Sequence, residues 1–218
     1  MLEISLPNDW APRGYQLPVW HFLESGGKRA VALWHRRAGK ESLCLNWTAV
    51  AAHRRVGTYW HMLPTNVQGR RVVWDAIDST GRRVIDQVFP PSIRRATNGS
   101  EMKIELKCGS IWQVCGSDNY NSLVGANPVG VVFSEFALAD PAAWDFIRPI
   151  LAENDGWAVF AFTPRGRNHG HDLFSMAQNN DAWKSERLTV EGIRVRGSFV
   201  GKSLARPCRA GKGQESTC

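Results

Sequence analysis

A lysine that follows a glycine, in a basic turn between an apolar strand-like run and a helix-like run, is placed to hold phosphate. The stretch Trp34-His35-Arg36-Arg37-Ala38-Gly39-Lys40-Glu41-Ser42 has this arrangement. A turn there aims backbone N–H groups and a helix N-terminus at an anion. A lysine in the first helical turn can then reach the β- and γ-phosphates of a nucleotide. Against the pattern G-x-x-x-x-G-K-[ST], the first Gly is missing and Glu41 replaces the hydroxyl residue. Taken alone, the segment fits a basic loop closed by a glycine equally well.

Two further segments carry chemistry at the end of an apolar run. Val131-Val132-Phe133-Ser134-Glu135 closes a buried-strand pattern with one acid. In nucleotide hydrolases such a strand supplies an acid for the Mg²⁺ shell and a second to activate water; here only Glu135 is acidic, and a solvated strand-end Glu is the plain alternative. Thr163-Pro164-Arg165-Gly166-Arg167-Asn168-His169 follows the apolar run Trp157 to Phe162. In a parallel sheet all three segments fall at the carboxyl edge, where open α/β sheets bind ligands. Their convergence on three strands favours a nucleotide site more than any one of them does.

Other candidates are weaker. His169-Gly170-His171 is a metal-like pair without further ligands at useful spacing. The doublets Arg54-Arg55, Arg70-Arg71, Arg82-Arg83 and Arg94-Arg95 suit a phosphate backbone or a solvated surface. Asp75 and Asp78 read as a solvated i, i+3 pair on a helix.

The elements that must position these residues are readable from pattern. Residues 29–34 form a short buried strand, and Lys40 to about Ala52 has helical apolar spacing. Val56 to Leu63 is a second strand stopped by Pro64. Thr65 then caps a helix through about Asp78, with Val67, Trp74 and Ile77 on its buried side. Asn98-Gly99 marks a turn, and Met102–Lys107 with Ile111–Val114 alternate as a hairpin through Cys108-Gly109-Ser110. Val129–Phe133 reads as a central parallel strand, Ala142–Leu151 as a helix, and Trp157–Phe162 as another buried strand. This rhythm predicts an α/β fold: a mostly parallel, doubly wound sheet flanked by helices, with a β-hairpin insertion.

Composition agrees. The 218 residues bound the chain to one full α/β domain or two small ones, and at 43% hydrophobic it can bury a real core. No run of 18 apolar residues and no signal peptide occur, so neither a membrane span nor secretion is expected. The net charge of +7 suits a polyanionic partner. Five widely spaced cysteines without a C-x-x-C pair argue for a reducing compartment and against a disulfide frame. The ten tryptophans fit core packing better than base stacking. Beyond Glu191, six Lys and Arg residues stand against one acid, Glu215, and apolar periodicity fades; residues 192–218 are expected to form a basic, poorly ordered tail.

Together, Arg13-Gly14-Tyr15-Gln16, Trp34 to Lys40, Leu63-Pro64-Thr65 with Gln68, Gly116-Ser117-Asp118-Asn119, Val131 to Leu138 with Asp140-Pro141, and Thr163 to His169 resemble the ATPase domain of the bacteriophage terminase large subunit. The resemblance spans about Pro12 to Glu191 and implies a P-loop ATPase domain over residues 1–191. It implies ATP and Mg²⁺ as cofactors, with Lys40 as the phosphate-binding lysine and Gly39 admitting close backbone approach. Ala38, Glu41 and Ser42 complete the loop, and Tyr15 and Gln16 lie on the adenine side. Arg36 or Arg37 resembles the arginine finger, Glu135 the catalytic glutamate, and Thr163 with Arg165 the coupling segment. Implied partners are double-stranded DNA, a portal protein and a small terminase subunit, with the chain in a homo-oligomeric ring on the capsid in the host cytoplasm.

Three departures stand out. Ser134 replaces the Mg²⁺-shell aspartate, and Glu41 replaces the hydroxyl after the lysine. These are read as linked: the carboxylate has moved between loops, so Glu41 supplies the anionic oxygen toward Mg²⁺ while Ser134 acts through water. The third departure is length, since the acidic ligand cluster of a nuclease domain cannot be assembled after Glu191; a truncated chain without nuclease activity is expected. Two other readings use the same residues: an inactive remnant that binds nucleotide or DNA without turnover, and a helicase-like P-loop motor.

Overall fold

The computed structural model describes Leu6 and residues 9–190; the expected basic tail from residue 192 lies outside the described residues. Among the described residues eight strands form one sheet: β1 (Arg29–Trp34), β2 (Thr58–Leu63), β3 (Arg94–Asn98), β4 (Lys103–Leu106), β5 (Ile111–Gly116), β6 (Pro128–Ser134), β7 (Trp157–Phe162) and β8 (Trp183–Leu188). Their order across the sheet is β3-β4-β5-β2-β6-β7-β1-β8. The six strands from β5 to β8 run parallel, and β4 and β3 extend the β5 edge in antiparallel fashion. The sequence-derived hairpin is thus present, but its second strand belongs to the parallel sheet.

The helices are α1 (Leu17–Glu24), α2 (Lys40–Arg54), α3 (Asn66–Gly69), α4 (Val84–Val88), α5 (Ala142–Glu153) and α6 (His169–Gln178). Alternation along each strand splits the core into two layers. Ala30, Ala32, Trp34, Val159 and Ala161 pack with α1 and α2 on one face. Val31, Leu33, Phe133, Phe160 and Phe162 pack with α5 and α6 on the other. Helix α2 is buried along most of its length, Leu43 completely; truncating Leu43 to alanine would cost about 2–5 kcal/mol. Eight tryptophans (20, 34, 47, 60, 74, 112, 144 and 157) are buried, as core packing requires.

One stretch departs from its sequence pattern. Thr65 does cap a helix, accepting from the Gln68 N–H at 3.1 Å. After one α-turn, however, the chain widens into a π-helical turn over Arg70–Trp74 and ends there. A π-turn shifts the helical phase, so Trp74 is buried while Val67 and Ile77 are 68% and 65% exposed. Asp75 and Asp78 therefore do not share a helix. Instead the Asp78 carboxylate accepts from the Thr80 N–H and hydroxyl, the Arg82 N–H and the Gln87 amide, closing the loop that follows. The second strand also begins two residues late, leaving Val56 62% exposed.

Candidate functional site

Because β5, β2, β6, β7, β1 and β8 are parallel, their carboxyl ends share one edge. Register does the finer alignment. Leu33 pairs with Phe162, so the loops after β1 and β7 leave the sheet side by side. His61 pairs with Val132 and Ser134 with Ala161, which sets the end of β6 between β2 and β7.

The loop after β1 turns through two left-handed residues, Arg37 (φ 63°) and Gly39 (φ 75°). The positive φ favours glycine at 39, and a Cβ there would stand 2.8 Å from Gln16 Nε2 and displace that amide. Gln16 is itself buried and braces the loop, donating to the carbonyls of Ala38 and Gly39 at 3.1 Å each. Tyr15 donates to the Ala38 carbonyl at 3.2 Å and accepts from Arg13.

Lys40 opens α2, and its ammonium donates to the carbonyls of Trp34 (3.1 Å) and His35 (3.2 Å) and to Thr163 Oγ1 (3.1 Å). Burial lowers its pKa, against the raising influence of Glu135 and Glu41. Glu41, one residue on, reaches the sheet: Ser134 Oγ donates to its Oε1, and His61 Nε2 lies 2.8 Å from its Oε2. Burial pushes the Glu41 carboxyl up, but His61, Ser134 and Lys40 more than offset this and hold it below the usual range. Glu135 follows with φ 52°, a strained conformation for a side-chain-bearing residue. It leaves the strand there and lines the cleft.

These parts enclose an open cleft of about 510 Å³ whose walls include Arg36, Arg37, Lys40, Glu41, Glu135 and Arg165. Arg71, from the π-helical turn, also lines it. Among the described residues, Arg36, Arg37, Arg71 and Arg165 have no carboxylate partner. Four unpaired guanidinium groups and a buried ammonium make an anion-attracting cavity of a size suited to a small-molecule ligand. Ser134 and Thr163 stand behind it and hold its walls; Tyr15, Gln16 and Ser42 brace or flank the loop without lining the cleft.

Sequence reasoning missed Arg71 and His61. Arg71 is one half of an ordinary-looking doublet, and His61 interrupts an apolar strand run, so neither carries a local signal. The other doublets divide. Arg70 donates to the Gly99 and Ser100 carbonyls, Arg83 to the Trp74 carbonyl, and Arg94 pairs with Asp86. His169 Nε2 donates to the Phe136 carbonyl, 2.6 Å away, and the ring packs edge-on against the Phe136 ring. Among the described residues no cluster of three or more His, Cys, Asp or Glu side chains forms a metal cage.

The sheet order and the glycine–lysine turn define a P-loop-type α/β domain. No protein-family model matches the chain. It is 24% identical over 182 residues to the terminase large subunit of Thermus phage G20c, covering 77% of this chain and 36% of that protein. The large terminase ATPase domain of Thermus phage P74-26 superposes with a TM-score of 0.70 at 19% identity, covering 90% of this chain and 91% of that one. The large terminase of another thermophilic bacteriophage, in a structure with ATP-γ-S, gives a TM-score of 0.62 at 14% identity over 92% of this chain and 50% of that one. In sequence and in fold the chain is thus similar to phage large-terminase ATPase domains. The chain spans about a third of the length of the curated relatives it matches. Among the described residues no helix is long and apolar enough to cross a membrane.

Proposed function

We propose that this chain is the ATP-hydrolysing motor domain of a phage large terminase, driving double-stranded DNA into a capsid. One observation carries the reading: Lys40, on the first turn after the β1 loop, is hydrogen-bonded to Thr163 inside a cleft bearing four unpaired arginines and Glu135. The named fold relatives support it independently of the site.

In this reading the loop N–H groups and the start of α2 cradle the β- and γ-phosphates, and the Lys40 ammonium exchanges its carbonyl partners for phosphate oxygens. Arg36 or Arg37 neutralises charge on the transferring phosphoryl, with Arg71 and Arg165 adding to the field. Glu135 orients the attacking water. Tyr15 and Gln16 belong to the nucleotide-binding set through the loop they brace, and Ser42 extends the set along α2.

Mg²⁺ favours hard oxygen ligands and needs only one or two from protein. The Glu41 carboxylate, 30% exposed and lining the cleft, with the Ser134 hydroxyl bonded to it, offers that donor set. When bound, the ion neutralises phosphate charge and orients the oxygens around the γ-phosphorus. Glu41 provides the carboxylate, and Ser134 holds it or a bridging water.

Thr163 senses the γ-phosphate through Lys40, and its loop is tied to the Glu135 segment, because Asn168 donates to the Ala137 carbonyl at 3.4 Å. Loss of phosphate would therefore shift Thr163 and Arg165 together, the movement a DNA-gripping part needs. Portal, small subunit and a ring of copies on the capsid in the host cytoplasm are the partners and setting this role requires. The test is steady-state ATP hydrolysis with and without duplex DNA. DNA-stimulated, Mg²⁺-dependent turnover is expected, and binding of nucleotide without any turnover would make the chain an inactive remnant.

A further inference from the structure

His61 sits mid-strand in Thr58-Tyr59-Trp60-His61-Met62-Leu63, on the α2-facing side with Tyr59 and Leu63. It is fully buried, and its Nδ1 finds no partner. The ring packs edge-on against Trp112, 6.3 Å between centroids at 74°. Only Nε2 is engaged, 2.8 Å from Glu41 Oε2. An ionised carboxylate only accepts, so Nε2 carries the hydrogen. A polar ring in an apolar layer, with one nitrogen orphaned and the other aimed at a cleft carboxylate, is a poor way to fill a core. Leaving a buried polar atom unpaired costs about 1–3 kcal/mol.

We propose that His61 is a positioning residue that fixes the Glu41 carboxylate for the catalytic cation. The inference rests on the reading of Glu41 as that cation's carboxylate. Glu41 follows Lys40 directly, and a free glutamate with three rotatable bonds would turn to the ammonium and draw it off the loop. Instead His61 holds Oε2 on the β2 side and Ser134 holds Oε1 on the β6 side. The carboxylate is stretched along the sheet edge, and Lys40 stays directed at Trp34, His35 and Thr163. Each Glu41 oxygen keeps a lone pair for a hard cation. A partner of this kind orients a ligand that would otherwise wander, and its removal typically weakens metal binding 10–100-fold. The exchange of carboxylate and hydroxyl between the two loops thus comes with a third residue that makes the longer acid usable at the helix start.

The test is Mn²⁺ binding to the chain with ATP-γ-S, followed by electron paramagnetic resonance, with a thermal melt on every variant. His61→Phe keeps the ring volume and removes the donor; its Mn²⁺ affinity is expected to fall about 10–100-fold. His61→Gln, whose amide can donate toward Oε2, is expected to recover most of that loss. A purely structural His61 would lower the melting temperature of both variants and leave Mn²⁺ affinity in place, and folded His61→Phe with parental affinity overturns the proposal. Glu41→Gln separates the two levels. If it leaves Mn²⁺ affinity unchanged, the reading of Glu41 itself fails; if it weakens Mn²⁺ while His61→Phe does not, only the role of His61 fails.

Discussion

Ser134 Oγ donates to Glu41 Oε1, joining the end of β6 to the first turn of α2 across 93 residues of sequence. A hydroxyl and a carboxylate meet here with each on the loop opposite to the one the terminase pattern expects. The first prediction follows from that contact. Glu41→Ser alone and Ser134→Asp alone should each lower Mg²⁺-dependent turnover on the order of 100-fold, the scale of losing one positioned charge-stabilising group. Glu41→Ser combined with Ser134→Asp should recover much of it; a double variant no better than the worse single one would show that the contact is structural.

Lys40→Ala should abolish hydrolysis, a fall on the order of 1000-fold, while the fold is kept. Only the buried ammonium and its side-chain bonds to Trp34, His35 and Thr163 are lost. Turnover assays beside a urea titration check both halves.

Gly39→Ala should destabilise the chain by about 1–2 kcal/mol, the cost of a Cβ at a left-handed position. It should also dislodge Gln16, whose amide stands where the methyl would go. Chemical denaturation gives the first number, and nucleotide affinity reports the second effect.

Thr163→Val replaces the Oγ1 acceptor of Lys40 with a methyl of similar size. ATP binding should persist, weakened by no more than about 100-fold, since one hydrogen bond from a charged group contributes about 1.5–3 kcal/mol. DNA stimulation of turnover should drop far more, if Thr163 carries the signal out of the cleft. Equal losses in both would place Thr163 in binding alone.

The pH dependence has a definite sign. The Glu41 carboxyl is held below its ordinary value of 4.5 in the folded chain. Its partners therefore contribute stability that is fully present above pH 4.5 and is lost as pH falls through the lower folded value. The stability gap between parent and Glu41→Gln should shrink as pH falls below 4.5, read by urea midpoints at each pH.

Much of this was legible in sequence because the central strands are covered on both faces. β1, β6 and β7 are buried almost throughout, so continuous apolar runs marked them within a residue. Edge strands lack that signal. β8, Trp-Lys-Ser-Glu-Arg-Leu, is half-buried, and β3, Arg-Arg-Ala-Thr-Asn, is largely exposed, so neither shows as a strand in the apolar pattern. The helix from Thr65 failed for a different reason: periodicity assumes about 3.6 residues per turn, and the π-turn at Arg70–Trp74 breaks that phase. At the site, the segments carrying Lys40, Glu135 and Thr163 were legible because each follows an apolar run that ends at the same edge. His61 was not, since a histidine inside such a run shows its role only once Glu41 is seen above it.

The most direct test of the central claim is a crystal structure of this chain with ATP-γ-S and Mg²⁺. The triphosphate is expected within hydrogen-bond reach of the loop N–H groups and Lys40 Nζ, with the ion on the Glu41 side and Glu135 facing the γ-phosphorus. Nucleotide bound away from the carboxyl ends of β1, β6 and β7, or an ion with no oxygen from Glu41 or Ser134 in its first or water-bridged shell, would contradict it.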